Sequence, residues 1–155
     1  MCTTSAGATL PRHIPRTIAG VNVDDAMARL EGYASRDELA AETGWPEWID
    51  IWLNYRKIVP VRRGHYVAPG LDERVVRALR VGGRLACVSA LAYYENRPVD
   101  GPVHVLVTYG SSRLGADSSV IHWTRRPLPG TRVVVSREVA EAQARHCRRA
   151  IETGS

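Results

Sequence analysis

Residues of types that bind metal ions lie in the second half of this 155-residue chain. His104 and His122 fall within two apolar segments predicted as strands, and His146 and Cys147 are adjacent in the last predicted helix. Imidazole and thiolate are the ligands that zinc prefers, so a fold that gathered these residues could hold zinc. Histidines on strands are more often half-buried and hydrogen-bonded, and Cys87 is expected to be a small core residue. The sequence therefore predicts no metal site and no cofactor.

Residues arranged for catalysis are not evident either. A metal-dependent nuclease needs carboxylates beside a lysine, and the only lysine, Lys57, has no acidic residue two positions before it. Ser89 and Ser136 lack the glycines that flank the serine of a nucleophile elbow. The pair Gly82-Gly83 is not followed by the Gly-Lys-Ser/Thr of a phosphate-binding loop. We therefore expect a protein that is not an enzyme and has no catalytic residues.

Positive charge is concentrated in one short stretch. The formal net charge is +5. Residues 1–55 carry four basic and eight acidic groups, residues 56–84 carry eight and two, and residues 85–155 carry nine and six. Nearly all basic groups are arginines. A GC-rich gene favours arginine codons, so the distribution of these arginines along the chain says more about function than their number does. A local excess of this kind is typical of a nucleic-acid contact.

The chain is predicted to begin with a tail and a short helix. Residues 1–20 are rich in Thr, Ser, Gly, Ala and Pro and show no periodicity, so we expect a mobile tail. Asp24 or Asp25 would cap the helix that follows. The apolar face of this helix would carry Ala26, Leu30 and Tyr33.

Two further helices are predicted with a glycine between them. Ser35 and Glu38 have the spacing of a capping box, and Gly44 suits the left-handed residue that ends a helix. The third helix opens at Trp45-Pro46, because proline is tolerated in a first turn. Its apolar residues recur at helical spacing, so we expect its tryptophans to pack in the core rather than to stack on bases. The apolar stripe comprises Trp45, Trp48, Ile49, Trp52 and Leu53, and the opposite face carries Glu47, Asp50 and Asn54.

A β-hairpin is predicted next, over residues 58–68. Two β-branched runs flank Arg62-Arg63-Gly64, where the glycine permits a positive φ. Pro60 cannot donate to a strand ladder, so its strand is expected at a sheet edge. The helix pair followed by a hairpin predicts a winged helix-turn-helix over residues 21–70.

The second half is predicted to be a small α+β domain over residues 71–155. Its helices alternate with apolar β-branched runs, which we expect to form an antiparallel sheet. The whole chain is therefore predicted to be of the α+β class. The predicted elements are helices from Leu71 to Arg80 and from Leu85 to Tyr94, strands from Val103 to Thr108 and from Val120 to Thr124, a third strand over Arg132–Val135, and a last helix after Ser136.

The helix pair and hairpin indicate binding to double-stranded DNA. An α-helix fits the major groove, and a basic hairpin reaches the neighbouring phosphates. Glu47 and Asp50 on the exposed face of the third helix would repel phosphate, although they could accept from cytosine. The predicted contacts are therefore mainly to the DNA backbone. The candidate residues are Arg36, Arg56, Lys57, Arg62 and Arg63 for phosphates and Asn54 for an adenine.

The segment from Ser35 to Ala40, with Gly44 and the run Val61 to Tyr66, resembles the N-terminal winged-helix domain of AbiEi-type antitoxins of type IV toxin–antitoxin systems. The segment from Arg80 to Leu91 is similar to the middle region of actinobacterial proteins that often continue into a Vsr-like endonuclease domain. The resemblance covers about residues 24–150. It implies a repressor that binds operator DNA near its own promoter and opposes a nucleotidyltransferase-like toxin. This chain departs from the family in its acidic, tryptophan-rich third helix.

Two other functions remain open at this point. A compact repressor from a phage or mobile element would fit the same residues, and so would a protein-interaction module whose second half docks a partner toxin. No apolar run approaches the roughly 18 residues that span a membrane, and the N-terminal residues lack the pattern of a secretory signal. We therefore expect a cytoplasmic protein that binds no membrane and keeps its thiols reduced.

Overall fold

The computed structural model describes residues 22–111, 114–115 and 118–153. The mixed helix-and-sheet class is confirmed, and the predicted tail over residues 1–20 lies outside the described residues. Among these residues, none of the helices is long and apolar enough to cross a membrane. The elements are α1 Val23–Arg29, β1 Tyr33–Ser35, α2 Arg36–Thr43, a 3-10 turn Pro46–Trp48, α3 Ile49–Asn54, β2 Val59–Arg62, β3 His65–Val67, α4 Glu73–Val81, β4 Arg84–Leu85, α5 Cys87–Tyr94, β5 Val103–Thr108, β6 Ser119–Thr124 and α6 Arg137–Thr153.

The first sheet is antiparallel with the strand order β1-β3-β2. The predicted hairpin is confirmed: β2 and β3 pair across a turn at Arg63-Gly64, where Gly64 has a φ of 72°. Pro60 lies in β2 at the sheet edge, as its missing donor requires. Strand β1 was not predicted from the sequence, and Tyr33 belongs to it rather than to the first helix. The reason is that the left-handed residue Glu31, with a φ of 56°, closes the helix, and Gly32, with a φ of 78°, leads the chain into the sheet.

Local capping signals predicted the limits of α2 correctly. The Ser35 hydroxyl accepts from the Glu38 amide at 3.2 Å, and the Ser35 amide donates to Glu38 Oε2 at 2.8 Å. Gly44 ends the helix with a φ of 75°. The cap of α1 was placed wrongly: it is Asn22, whose side chain accepts from the Asp24 amide. The helix therefore begins at Val23, two residues earlier than a cap at Asp24 would allow.

The third predicted helix is shorter than its apolar stripe suggested. Residues Pro46–Trp48 form a 3-10 turn, and the α-helix begins only at Ile49. A 3-10 turn has three residues per turn, so it shifts the phase of the residues before Ile49. Ile49 is fully buried, but the prediction of a core role for Trp45 was wrong, since its side chain is 37% exposed and meets the Trp48 ring at the surface.

The second sheet has the strand order β4-β5-β6 and is mixed. Strands β4 and β5 are antiparallel, but β5 and β6 pair in parallel, with His104 opposite Val120 and Leu106 opposite His122. The prediction of an antiparallel sheet was therefore wrong, because Ser119 pairs beside Val103, so β6 begins at the end of the sheet where β5 began. The third strand predicted over 132–135 is reduced to isolated bridges.

Two hydrophobic clusters fill the interior. The N-terminal core contains Val23, Met27, Ala34, Leu39, Ile49, Ile58 and Tyr66. The C-terminal core joins α4, α5, β5 and α6 and also takes in Val61 and Val67 from the first sheet. This larger core therefore crosses the predicted domain boundary between residues 70 and 71, and the boundary itself stays a prediction.

Candidate functional site

The start of α2 and the β2–β3 turn lie side by side on the surface. The Arg36 amide donates to the Gly64 carbonyl at 2.9 Å, which joins the first residue of the helix to the turn. The Arg36 guanidinium lies 3.4 Å from the Tyr66 hydroxyl. Arg63 is exposed at the turn itself. The structure thus brings two of the six predicted DNA-binding residues, Arg36 and Arg63, to one surface.

The exposed face of α3 borders this surface. Glu47, Asp50 and Asn54 are all exposed, as the helical pattern predicted. The Arg36 guanidinium approaches Asp50 Oδ1 at 3.8 Å, so one cation of α2 offsets one carboxylate of α3. Partial neutralisation of this kind reduces the repulsion that Asp50 would exert on a phosphate. Asn54 is the last residue of the helix and is exposed. Its side-chain amide carries both a hydrogen-bond donor and an acceptor.

Arg56 and Lys57 lie at the other end of the hairpin, where β2 begins. Arg56 has a φ of 54° and closes α3: its amide donates to Leu53, and the Lys57 amide donates to Trp52. This is the Schellman arrangement, in which the left-handed residue is usually glycine. The Lys57 ammonium is 2.9 Å from an Asp24 carboxylate oxygen on α1. A strand of four residues, about 13 Å long, separates this pair from Arg63.

Arg62 differs from the other five candidates, which are exposed. It is half-buried in β2, and its guanidinium lies so close to Gly82, at the end of α4, that a Cβ on that glycine would collide with it. Its charge also lies near the Tyr33 ring, where it opposes the rise in the Tyr33 pKa that burial causes. The adjacent arginines of the hairpin therefore have different surroundings: Arg63 faces outward, and Arg62 packs against the second half of the chain.

A second constellation lies inside the second half. Cys87, His104, His122 and Cys147 each present a ligand-type atom, and these atoms all lie within 4.8 Å of one another. The two sulfurs are 3.4 Å apart, His104 Nδ1 is 3.0 Å from His122 Nε2, and the Cys147 sulfur is 3.7 Å from His122 Nε2. We call these four residues the cysteine–histidine cluster. This is the kind of donor set that could hold a metal ion.

Four different elements supply the cluster. Cys87 begins α5, His104 and His122 lie on the parallel strands β5 and β6, and Cys147 lies on α6. In the register of the two strands His122 is opposite Leu106, two residues beyond His104, so both imidazoles lie on one face of the sheet. Their rings stack with centroids 5.3 Å apart. The cluster therefore depends on the packing of two helices over this face.

Side chains of α5 and α6 fix the backbone around the cluster. The amide of Cys87 donates to Gln143 Oε1 on α6 at 3.0 Å, and the amide of His104 donates to the Ser89 hydroxyl on α5 at 3.0 Å. Ser89 is itself fully buried. These bonds tie α5 to both α6 and β5, and they hold Cys87 and His104 in position.

Burial favours the uncharged forms of three cluster members. It raises the pKa of the Cys87 thiol to about 12, with a further contribution from the neighbouring Cys147. Burial lowers the pKa of His104, helped by the proximity of His122, and lowers the pKa of His122 as well. Both imidazoles are therefore neutral at pH 7, which is the form that binds metal ions.

Sequence reasoning identified three of these residues but not the set. His104, His122 and Cys147 were considered as zinc ligands together with His146. His146 is exposed, with its ring 3.2 Å from the Ala142 carbonyl of its own helix, and it is not a member. Cys87 takes its place; it is fully buried, as predicted, but it also belongs to the cluster. No short spacing links Cys87 to the other three, so only the fold brings it in.

Comparison with known proteins assigns no family to the chain. A scan against protein-family models finds no match, and a search of curated proteins finds none that is significantly similar. The likeness to AbiEi-type antitoxins therefore rests on the residues quoted under the sequence analysis.

Proposed function

We propose that residues 22–70 form a winged helix-turn-helix that binds double-stranded DNA and that the protein is a transcriptional repressor. The observation that carries this proposal is the element order helix, strand, helix, helix, strand, strand, with a sheet of order β1-β3-β2. In a winged helix-turn-helix the second helix of the pair enters the major groove and the hairpin turn contacts the backbone. Here those roles fall to α3 and to the β2–β3 turn.

Charge supports contacts to the phosphates more strongly than contacts to the bases. Arg63 at the turn and Arg36 at the start of α2 share one surface, because the Arg36 amide donates to the Gly64 carbonyl. Glu47 and Asp50 reduce the attraction of α3 for DNA, while Asn54 is an exposed residue able to bond an adenine. Arg56 and Lys57 would contact a more distant phosphate, and Arg62 would act by packing.

The proposal assigns no catalytic step to the chain. By its resemblance to AbiEi-type antitoxins, the repressor would act in the cytoplasm on the promoter of its own operon and would oppose a nucleotidyltransferase-like toxin. A repressor of a phage or mobile element would use the same surface. The genes beside this one distinguish the two: a nucleotidyltransferase gene supports the antitoxin, and an integrase gene supports the phage repressor.

The direct test is binding of the full chain to a labelled fragment of its own upstream region. The logarithm of the binding constant should fall linearly with the logarithm of the salt concentration, because phosphate contacts release counterions. The variant Arg63→Glu should weaken binding at least tenfold to every duplex, and Arg63→Ala should reduce the salt slope by about one. The matched control is Arg145→Glu, an exposed residue of α6; it changes the net charge equally and should leave affinity within twofold.

Two results would contradict the proposal. The first is no binding of the unmodified protein at about 50 mM salt, where a protein with several phosphate contacts binds tightly. The second is an equal loss for Arg63→Glu and Arg145→Glu, which would show attraction to net charge rather than a defined surface. Circular dichroism of each variant confirms that the fold is intact.

One observation favours a second candidate function, the docking of a protein partner by the second half. Trp123 lies on the edge strand β6 and is 45% exposed, and it meets the exposed Tyr109 ring at 5.4 Å. The Arg125 guanidinium covers that tyrosine at 5.0 Å. Exposed aromatic and arginine side chains are enriched in protein interfaces. Loss of co-purification of the neighbouring gene product with Trp123→Ala, with DNA binding unchanged, would support this function.

A further inference from the structure

We infer that the cysteine–histidine cluster is a structural zinc site whose ligands are Cys87, His104, His122 and Cys147. This site is independent of the proposed DNA binding, because its residues lie on α5, β5, β6 and α6 rather than in the helix pair and hairpin. It would hold the second half of the chain together around one ion.

The distances match a tetrahedral centre. With Zn–S about 2.3 Å and Zn–N about 2.05 Å, a tetrahedron separates two sulfurs by about 3.8 Å, two nitrogens by about 3.3 Å and a sulfur from a nitrogen by about 3.6 Å. The corresponding separations here are 3.4 Å, 3.0 Å and 3.7 Å. These three edges differ from the ideal values by no more than a few tenths of an ångström, and the other three pairs of ligand atoms lie within 4.8 Å. A single ion therefore fits among these atoms once side-chain movements bring the remaining pairs closer together.

The donor set selects zinc over the other common ions. Two thiolates and two neutral imidazoles form the Cys₂His₂ set of structural zinc sites, whereas calcium and magnesium take oxygen ligands. The two thiolate charges balance the charge of Zn²⁺, so the site is neutral in its buried position. All four tetrahedral positions are filled by protein, which leaves none for water or substrate. The site is thus structural and is not a hydrolytic centre.

The backbone at Cys87 is strained in a way that the site explains. Four non-glycine residues of the described chain have a positive φ: Glu31, Arg56, Cys87 and Asn96. The other three follow the last turn of a helix, where a left-handed residue closes the backbone. Cys87 instead begins α5, with a φ of 52°, after the extended residue Ala86. Strain of this kind persists where the surrounding structure requires it, and here it directs the thiol at the other three ligands.

The bonds from Gln143 and Ser89 hold the backbone at two of the ligands. Gln143 fixes the Cys87 amide and Ser89 fixes the His104 amide. The ion would then connect segments that are far apart in sequence, since Cys87 and Cys147 are 60 residues apart. His122 would also anchor β6. Among the described residues, this edge strand pairs with the sheet along one side, through β5.

A disulfide between Cys87 and Cys147 is the competing arrangement. It requires a sulfur–sulfur distance of about 2.05 Å, which is much shorter than the 3.4 Å here. A disulfide would also leave the two imidazoles without a role in the cluster. The two arrangements make opposite predictions, because reduction abolishes a disulfide and is required for metal binding.

The test is the zinc content of the full chain, purified under reducing conditions without added metal and measured by elemental mass spectrometry. One zinc per chain is expected. After removal of zinc with a chelator, Co²⁺ alone should restore one ion per chain and give the intense visible bands of tetrahedral cobalt with sulfur-to-cobalt charge transfer. The variants Cys147→Ser and His122→Ala should lose stoichiometric binding. The matched control is His146→Ala, adjacent to Cys147 and outside the cluster, which should bind one ion with the unchanged spectrum.

A second measurement does not depend on the folding of any variant. In the unmodified protein, Cys147 is partly exposed, and zinc should slow its alkylation at least tenfold; a chelator should restore the rate, and added Zn²⁺ should suppress it again. Failure of the reduced protein to bind Zn²⁺ or Co²⁺ overturns the inference. So does a Cys87–Cys147 disulfide in the freshly purified protein together with no metal binding after reduction, or equal loss of metal from His146→Ala and Cys147→Ser.

Discussion

The surface around the β2–β3 turn and the cysteine–histidine cluster place their chemistry in opposite environments. At the turn, Arg36 and Arg63 are exposed. Their positions follow from local backbone signals, namely the capping box at the start of α2 and the glycine of the β2–β3 turn. In the cluster, Cys87 is fully buried and its partners are half-buried, and packing of four elements positions them. A local signal predicts the first kind of site from the sequence. The second kind exists only after the chain has folded.

The difference extends to what each half needs for stability. The first half is closed by backbone caps and by a small core around Leu39 and Ile49. The second half has a larger core but a short β4 and an edge strand, β6, paired in parallel. We expect the local effect of metal to be largest in the second half, around its four ligands.

Removal of zinc should have the largest effect. An ion present at a thousand times its dissociation constant stabilises the folded state by about 4 kcal/mol, and for a chain of this size each 1 kcal/mol shifts Tm by roughly 2–4 °C. Chelation should therefore lower Tm by roughly 10 °C. Hydrogen exchange should accelerate most in α5, β6 and α6, where the ion acts locally, and less in α2 and β3, which lose only the global part of the stabilisation. An equal acceleration in both halves would remove the contrast.

Truncation in the N-terminal core tests whether the halves unfold together. Leu39→Ala should cost about 2–5 kcal/mol, because Leu39 is fully buried. Since Val61 and Val67 of the first sheet belong to the C-terminal core, we expect one transition in urea. Far-UV circular dichroism of Leu39→Ala and of Leu85→Ala, its counterpart in the C-terminal core, should show that single transition displaced in both variants. A second transition that Leu39→Ala leaves in place would support separate domains with a boundary near residue 70.

Acid should weaken the contact between the halves through Glu38. Burial alone would raise the Glu38 pKa, but hydrogen bonds from Ser35 and from the Arg132 guanidinium, 2.6 Å away, outweigh it, and the net pKa is lowered. A lowered carboxyl pKa adds stability that is complete above about pH 4.3, the ordinary value for glutamate, and is lost as the pH falls through the folded-state value. Glu38→Gln should therefore be less stable than the unmodified protein at pH 7 and should converge with it near pH 3. Urea unfolding at both pH values measures the difference, and a constant difference would show that the charge of Glu38 contributes nothing.

Arg56→Gly should have the smallest effect on stability, and it should change stability and DNA affinity in opposite directions. Glycine removes the cost of a left-handed arginine, about 1–2 kcal/mol, but adds conformational entropy to the unfolded chain. The net gain in the free energy of unfolding should be about 0.5 kcal/mol. DNA affinity should fall several-fold, since one cation is lost near the end of α3. Higher stability with unchanged affinity would show that Arg56 takes no part in the interface.

Much of the fold was predicted from residues close together in the sequence. The capping box at Ser35 and Glu38, the end of α2 at Gly44, the hairpin with Pro60 at an edge, and strand β5 all agree with the structure. The errors arose where neighbours in space decide the outcome. Strand β1 forms because β3 pairs with it. Trp45 is exposed because a 3-10 turn interrupts the helical period, and β6 is parallel to β5 because Ser119 pairs beside Val103.

The candidate sites divide in the same way. The sequence correctly predicted Arg36 at the start of a helix and Arg63 at a hairpin turn. It could not show that Arg62 has different surroundings from Arg63, because Arg62 packs against the end of α4. It also grouped His104 and His122 with Cys147 as candidate zinc ligands, but with His146 in the place that Cys87 takes. By itself, the sequence determined caps, turns and the local excess of positive charge, because these depend on residues within a few positions of one another. The tertiary structure alone decided that Cys87 and Cys147, 60 residues apart, meet His104 and His122, because a tetrahedral set of ligands requires four separate backbones to converge within a few ångströms.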